Sequence, residues 1–165
     1  SSVNYSPPAG KVGRPFPKKF LHAHTIGNQT NDDWPVYRYS EVLLLLAESL
    51  NQQGKSGEAL PYLNAVRARA FGDASHDITT TDQAALQTAI LKERRVELAF
   101  ENKRWLDLVR TGNAITVMTA FGVKQKAQYS YLQPGSYNVT QDRLLFPIPN
   151  AEILLNDKLT PNPGY

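Results

Sequence analysis

TTDQAALQTAILKERRVELAFENKRWLDLVRTG, residues 80–112, holds the pattern that decides the fold. It reads as a long helix, a brief interruption, and a shorter helix with a clean stop. Thr80 and Gln83 have the spacing of a capping box, which predicts a helix start supported by reciprocal hydrogen bonds. Gly112 follows Arg110 and Thr111 where a left-handed C′ residue ends a helix. Glu93, Glu97 and Glu101 form an i, i+4 row with Arg94 and Arg104 close by. Leu91, Val96, Leu98, Phe100 and Trp105 flank that row, so it is expected to be at least partly buried. Buried charges need partners from the same or neighbouring helices.

The first of those neighbours is a helix introduced by Asp32-Asp33-Trp34-Pro35, an aspartate-before-proline entry signal. Tyr39, Val42, Leu43, Leu46, Ala47 and Leu50 repeat with the spacing of one buried face, widened by Leu44 and Leu45. Arg38 stands at the entrance of this helix and Glu48 lies within its apolar band. Both are expected to join the charged row as a structural ion network of Arg38, Glu48, Glu93, Arg94, Glu97, Glu101 and Arg104. Gly54 ends the first helix, and Gly57-Glu58-Ala59 opens a second that runs to about Phe71. Residues 54–70, GKSGEALPYLNAVRARA, resemble the turn and second helix of a tetratricopeptide repeat. Its glycine turn and its small residues, Ala59 and Ala65, allow two antiparallel helices to approach closely. Pro61 is expected within the first turn, where proline is tolerated. One such pair cannot bury its faces alone, and the helices of residues 80–112 supply a neighbour.

Further along, Asn113 is the expected N-cap of a short helix closed by Gly122. A polar and aromatic loop follows from Val123 to Asp142. Pro147 and Pro149 bar the apolar segment of residues 144–149 from helices and central strands. Asn150 is expected to cap a last helical turn through Leu155. Residues 1–35 read as an irregular, proline-rich lead-in, and residues 36–165 as the helical domain. Phe16, Phe20, Leu21 and Ile26 are expected to lie across a helical surface.

Three separated segments, in one order, resemble the SusD/RagB family, the surface glycan-binding lipoproteins of the Bacteroidetes. They are LKERRVELAFENKRWLDLVRTG (91–112), RYSEV with LLLLAESLNQQG (38–54), and LFPIPNAEILLNDKLTPNPGY (145–165). The resemblance spans about Trp34 to Tyr165. It implies an all-α, tetratricopeptide-like architecture with long irregular covering segments, corresponding to the C-terminal portion of such a protein. Family members are considerably longer. The signal peptide and lipidated cysteine of the family would lie in an N-terminal part that this sequence does not contain. The resemblance further implies a surface-exposed place at the outer membrane and a TonB-dependent, SusC-like transporter as partner. The expected ligand is an oligosaccharide or polysaccharide, and no catalysis is expected.

Composition sets outer bounds. A chain of 165 residues with 41% hydrophobic and 20% charged residues suits one ordinary globular domain. No run approaches the ~18 apolar residues of a membrane-spanning helix. The absence of cysteine excludes disulfides and thiolate chemistry. Lys11, Arg14, Lys18 and Lys19 form a basic cluster without an acidic residue nearby, yet no recognition helix, zinc-finger spacing or RNA-binding motif accompanies it, so no nucleic-acid partner is expected.

The candidate chemistries divide sharply. A glycosidase needs two carboxylates facing a sugar from opposite sides, roughly 5–10 Å apart. Glu93, Glu97 and Glu101 follow one another along one helix side, and neighbouring arginines would keep them ionised. No catalytic residue is assigned. His22 and His24 fall on one side of an extended strand, but His76 is the only further histidine, too few for a zinc site. No metal or cofactor is expected. Asn28-Gln29-Thr30 and Asn138-Val139-Thr140 match the N-glycosylation tripeptide, a common chance pattern. Tyr129, Tyr131 and Tyr137 share a loop with Gln128, Gln133 and Asn138. Tyrosine faces stack on pyranose rings, and tyrosines also pack against helices or meet protein partners. Two functions remain: a portion that contacts the glycan through these tyrosines, or a helical scaffold that meets the transporter or supports the rest of the protein.

Overall fold

A computed structural model of the chain describes residues 9–13, 17–20, 25–27, 29 and 32–165. The expectations for Arg14, Phe16, Leu21, His22, His24, Asn28 and Thr30 lie outside these residues. The described residues form helices and no strand: α1 (Tyr39–Gln52), α2 (Ser56–Phe71), α3 (Gln83–Glu97), α4 (Arg104–Arg110), α5 (Ala114–Gln128) and α6 (Asn150–Leu155), with one 3-10 turn at Gln141–Leu144. α1 packs on α2 and α3, α2 on α3, and α4 on α5.

The core is the antiparallel α1–α2 pair closed by α3. Leu44, Ala47, Ala59, Leu63, Val66, Leu86 and Ile90 fill it. Ala59 is completely enclosed, as expected where a small side chain lets helices approach closely, and so is Ala47, whereas Ala65 is exposed and lies outside that contact. Truncating a core leucine to alanine in such a setting costs about 2–5 kcal/mol.

The inner face of α1 differs from the expected one. Glu41, Leu44, Ala47, Glu48 and Asn51 point inward, whereas Tyr39, Val42 and Leu46 are exposed. Leu43 and Leu50 pack at the margin of the core. The helix is rotated because two glutamates, Glu41 and Glu48, turn toward cations on α3 and α4. Its apolar run of four leucines offers no periodicity of its own to oppose that rotation.

Helix ends also depart from expectation in detail. α1 begins at Tyr39, after the Asp32–Pro35 signal. Asp82, not Thr80, caps α3, accepting from the Ala85 N–H at 2.7 Å. Gln83 does not reach back; its amide donates to the Asn51 carbonyl at 2.7 Å and ties α3 to the end of α1. Pro61 is the sixth residue of α2, beyond the first turn, and both it and Gly57, whose carbonyl loses its intrahelical donor, are exposed. Gly112, with φ +70°, follows α4 as expected.

α5 is nearly twice as long as the sequence pattern implies, because Gly122 lies inside it. A Cβ there would meet the Tyr137 Cβ at 2.6 Å. The glycine therefore admits a close neighbour instead of ending the helix. At the chain's far end the tail folds back on the extended segment. Tyr165 Oη donates to the Leu145 carbonyl at 2.9 Å, Asn162 donates to the Phe146 carbonyl at 2.8 Å, and Arg143 stacks over the Tyr165 ring.

Candidate functional site

Between α3 and α4 the chain makes a tight excursion over residues 98–103, in which Phe100 (φ +67°) and Asn102 (φ +58°) take left-handed backbone conformations. Non-glycine residues adopt this region at a cost, so the surroundings must hold them there. Cations do so. Lys19 Nζ donates to the Glu97 carbonyl at 2.8 Å, the Ala99 carbonyl at 3.0 Å and Glu101 Oε1 at 2.5 Å. Arg38 donates to the Glu97 carbonyl at 2.6 Å, Glu97 Oε1 at 2.5 Å, Glu101 Oε2 at 2.8 Å and the Ser40 hydroxyl. The last carbonyls of a helix lack intrahelical donors and attract positive charge, and these two side chains supply both.

The remaining ions form a lattice across four helices. Glu97 also accepts from Arg69 Nη2 at 2.7 Å. Glu93 pairs with Arg67 at 2.5 Å. Arg94, almost wholly buried, donates from Nε to Asp107 at 3.0 Å and from Nη2 to Glu41 at 3.4 Å. Lys103 lies 3.0 Å from the second Glu41 oxygen as an ion pair without hydrogen-bond alignment. Glu48 receives both Arg110 Nη groups at 2.7 Å, the bidentate geometry that makes arginine–carboxylate pairs strong.

Burial would raise the Glu48 carboxyl, but hydrogen bonds from Arg110 and Gln87 outweigh it and hold it below the usual range. The same opposition acts on Glu97 and Glu101, where burial is overcome chiefly by hydrogen bonds from Arg38. These carboxylates stay ionised and bonded, which suits a frame and not a proton donor.

Six of the seven residues expected in the network thus meet ionic partners. Arg104 does not: among the described residues it has no ion pair, and it lies beside Arg95. Seven partners, Lys19, Glu41, Arg67, Arg69, Lys103, Asp107 and Arg110, lie outside the expected set. Their local signals were present as Arg67-Ala68-Arg69 on α2 and Asp107-Leu108-Val109-Arg110 on α4, but nothing local shows which way these residues face.

The tyrosine loop begins at the end of α5. Tyr129 and Tyr131 have ring centroids 5.6 Å apart at 41°, and Tyr131 is 73% exposed. Tyr137, in a left-handed conformation (φ +63°), lies over Gly122 and sets its ring edge-on to Phe121 at 5.3 Å. One tyrosine therefore fastens the loop to α5, and two stand outward from it. Among the described residues no group of three or more histidine, aspartate or glutamate side chains gathers as a metal site. No helix there is long and apolar enough to cross a membrane.

The model of the SusD family matches residues 2–165. The chain belongs to the SusD family. SusD-like protein P2 of Formosa agariphila is 36% identical, the match covering 93% of this chain and 31% of that protein. SusD-like protein P38 of the same organism is 36% identical, with 79% of this chain and 24% of the relative covered. A crystal structure of a SusD homologue from Bacteroides thetaiotaomicron superimposes with a TM-score of 0.66 at 31% identity, covering 90% of this chain and 30% of that one. The chain thus spans less than a third of the length of these SusD-like relatives, and the all-helical architecture of the described residues is that of the family.

Proposed function

We propose that the chain is part of a cell-surface glycan-binding lipoprotein that passes its ligand to a SusC-like, TonB-dependent outer-membrane transporter, without catalysing any reaction on it. The observation that carries this reading is membership of the SusD family over residues 2–165. The ligand is an oligosaccharide or polysaccharide. Attachment to the membrane is through a lipid on the longer protein, and the chain's place is the outer face of the outer membrane.

Within this portion, the neighbouring rings of Tyr129 and Tyr131 are the best-formed sugar-facing surface. Exposed aromatic faces offer rigid apolar area to a pyranose ring at little entropic cost, and Gln133 lies exposed in the same loop. The ionised, doubly hydrogen-bonded carboxylates support binding over hydrolysis, since none is positioned as a neutral acid opposite a second carboxylate.

A scaffold reading is favoured by a different observation, the exposed apolar ridge of Tyr39, Val42 and Leu46 on α1. Affinity electrophoresis of the 165-residue chain through gels containing soluble polysaccharides separates the two. Retardation that is lost in Tyr129→Ala and Tyr131→Ala is the expected result. Retardation unchanged in both variants would remove the tyrosines from the ligand site, and migration indifferent to every polysaccharide would favour the scaffold.

A further inference from the structure

Arg95 and Arg104 stand apart from the ion lattice. Among the described residues neither makes an ion pair or a hydrogen bond, although every other arginine of α2, α3 and α4 does. The two are close enough to oppose each other: burial first, and then the Arg95 charge, hold the Arg104 guanidinium below its ordinary range against a weaker attraction from Asp107. Three clefts, of about 240, 210 and 430 Å³, each have both residues in their walls. In the cleft of about 240 Å³, the wall includes Arg94, 3% exposed, whose Nη1 has no hydrogen-bond partner. Asp107 is the one acid lining these clefts, and its carboxylate already serves Arg94 and Arg110.

The largest cleft lies where α5 faces this pair. Its other walls are Leu108, Val117, Met118, Ala120, Phe121 and Lys124, with no hydroxyl or amide side chain among them. Two unpaired guanidinium groups beside an aliphatic floor fit a ligand whose carboxylate adjoins aliphatic groups. A carboxylate between them gains charge-assisted, planar hydrogen bonds and removes their mutual repulsion. A sugar is the poorer fit, because its ring hydroxyls would face Val117, Met118 and Phe121 without partners.

We propose that the groove between α3, α4 and α5 docks an acidic peptide segment. Its carboxylate sits between Arg95 and Arg104, and its aliphatic side chains lie against Met118 and Phe121. This surface is separate from the tyrosine pair, and the proposal does not depend on the glycan reading.

The probe is a synthetic peptide, acetyl-Leu-Leu-Glu-Glu-Leu-Leu-amide, titrated into the 165-residue chain by calorimetry, with amide chemical shifts locating the contact. The glutamine counterpart of the peptide and an oligoglucuronate serve as controls. The expected result is binding of the glutamate peptide with shifts at α3, α4 and α5. The glutamine peptide, and the R95Q/R104Q chain, should bind at least about tenfold more weakly, as loss of a charged hydrogen bond implies. The double variant loses no partner, so its melting temperature should match that of the parent and keep the comparison valid. Met118→Glu, which sets a carboxylate into the aliphatic wall, should also abolish binding. Equal binding of the glutamine peptide, no binding at all, or equal binding of the oligoglucuronate at these residues would each overturn the proposal, the last in favour of an acidic sugar.

Discussion

Arg67 Nη1 lies 2.5 Å from Glu93 Oε2, and among the described residues no other cation reaches that carboxylate. Glu97, one turn further along α3, is held by both Arg38 and Arg69. The two arginines of α2 therefore differ in consequence. Arg67→Ala strands a buried carboxylate and should cost about 3–5 kcal/mol. Arg69 is 64% exposed at the side chain and shares its partner, so Arg69→Ala should cost no more than about 1 kcal/mol. Urea denaturation of the two variants gives the order directly, and a larger loss for Arg69→Ala would contradict it.

The lattice also sets the response to acid. Glu48, Glu97 and Glu101 all have folded-state pKa values below the ordinary carboxylate value. A depressed carboxyl contributes its full stabilisation above the unfolded-state pKa and loses it as pH falls through the folded one. Stability should therefore be nearly level from about pH 6 to 9 and decline as pH drops below about 4.5, where glutamates of the unfolded chain protonate. Melting temperatures measured across this range test it; a decline confined to pH 6–7 would implicate histidine instead.

Gly122 is a specific test of the tyrosine loop. Alanine is ordinarily better than glycine inside a helix by about 1 kcal/mol. Here the new methyl would stand 2.6 Å from the Tyr137 Cβ, attached to a left-handed backbone that has little room to shift. Gly122→Ala should be net destabilising by about 1–3 kcal/mol, as overpacking is. It should also alter the near-ultraviolet circular dichroism of the tyrosines. A rise in melting temperature would mean that the loop moves aside freely.

Asn51 joins three elements from a fully buried position. Its amide donates to the Gln83 carbonyl at 2.9 Å and its oxygen accepts from the Ser56 hydroxyl at 2.7 Å. Asn51→Ala leaves the buried Ser56 hydroxyl without its acceptor, and a buried polar group so stranded costs about 1–3 kcal/mol. A loss of that order in chemical denaturation is expected, whereas a change below the error of the measurement would show that water takes the vacated place.

Local signals made parts of this fold legible. The glycine turn before α2, the stop at Gly112 and the burial of Glu93, Glu97 and Glu101 follow from residues a few positions apart. The inner face of α1 did not, because Leu43–Leu46 are equivalent in hydrophobicity and the rotation is decided by Arg94, Lys103 and Arg110, more than fifty residues downstream. Gly122 was misread for a similar reason: a helix stop and a close contact both call for glycine, and only the position of Tyr137 distinguishes them. Arg104 looked like a member of the charged row by spacing, but α3 ends at Glu97, and the left-handed Phe100 and Asn102 redirect the chain between them. Of the candidate sugar-facing residues, the clustering of tyrosines was visible in the sequence. Which of them stand outward was not, since that depends on what lies beneath each ring.

The Lys19 ammonium carries three hydrogens, and three oxygens of residues 97–101 receive them. An amine acylates only when its nitrogen can meet the reagent, which at Lys19 means leaving the contacts that help hold the 98–103 excursion. Lysine-directed reagents should therefore spare Lys19 while modifying exposed amines such as Lys92 and Lys124. The rate at which Lys19 finally reacts would serve as a clock for opening at the end of α3.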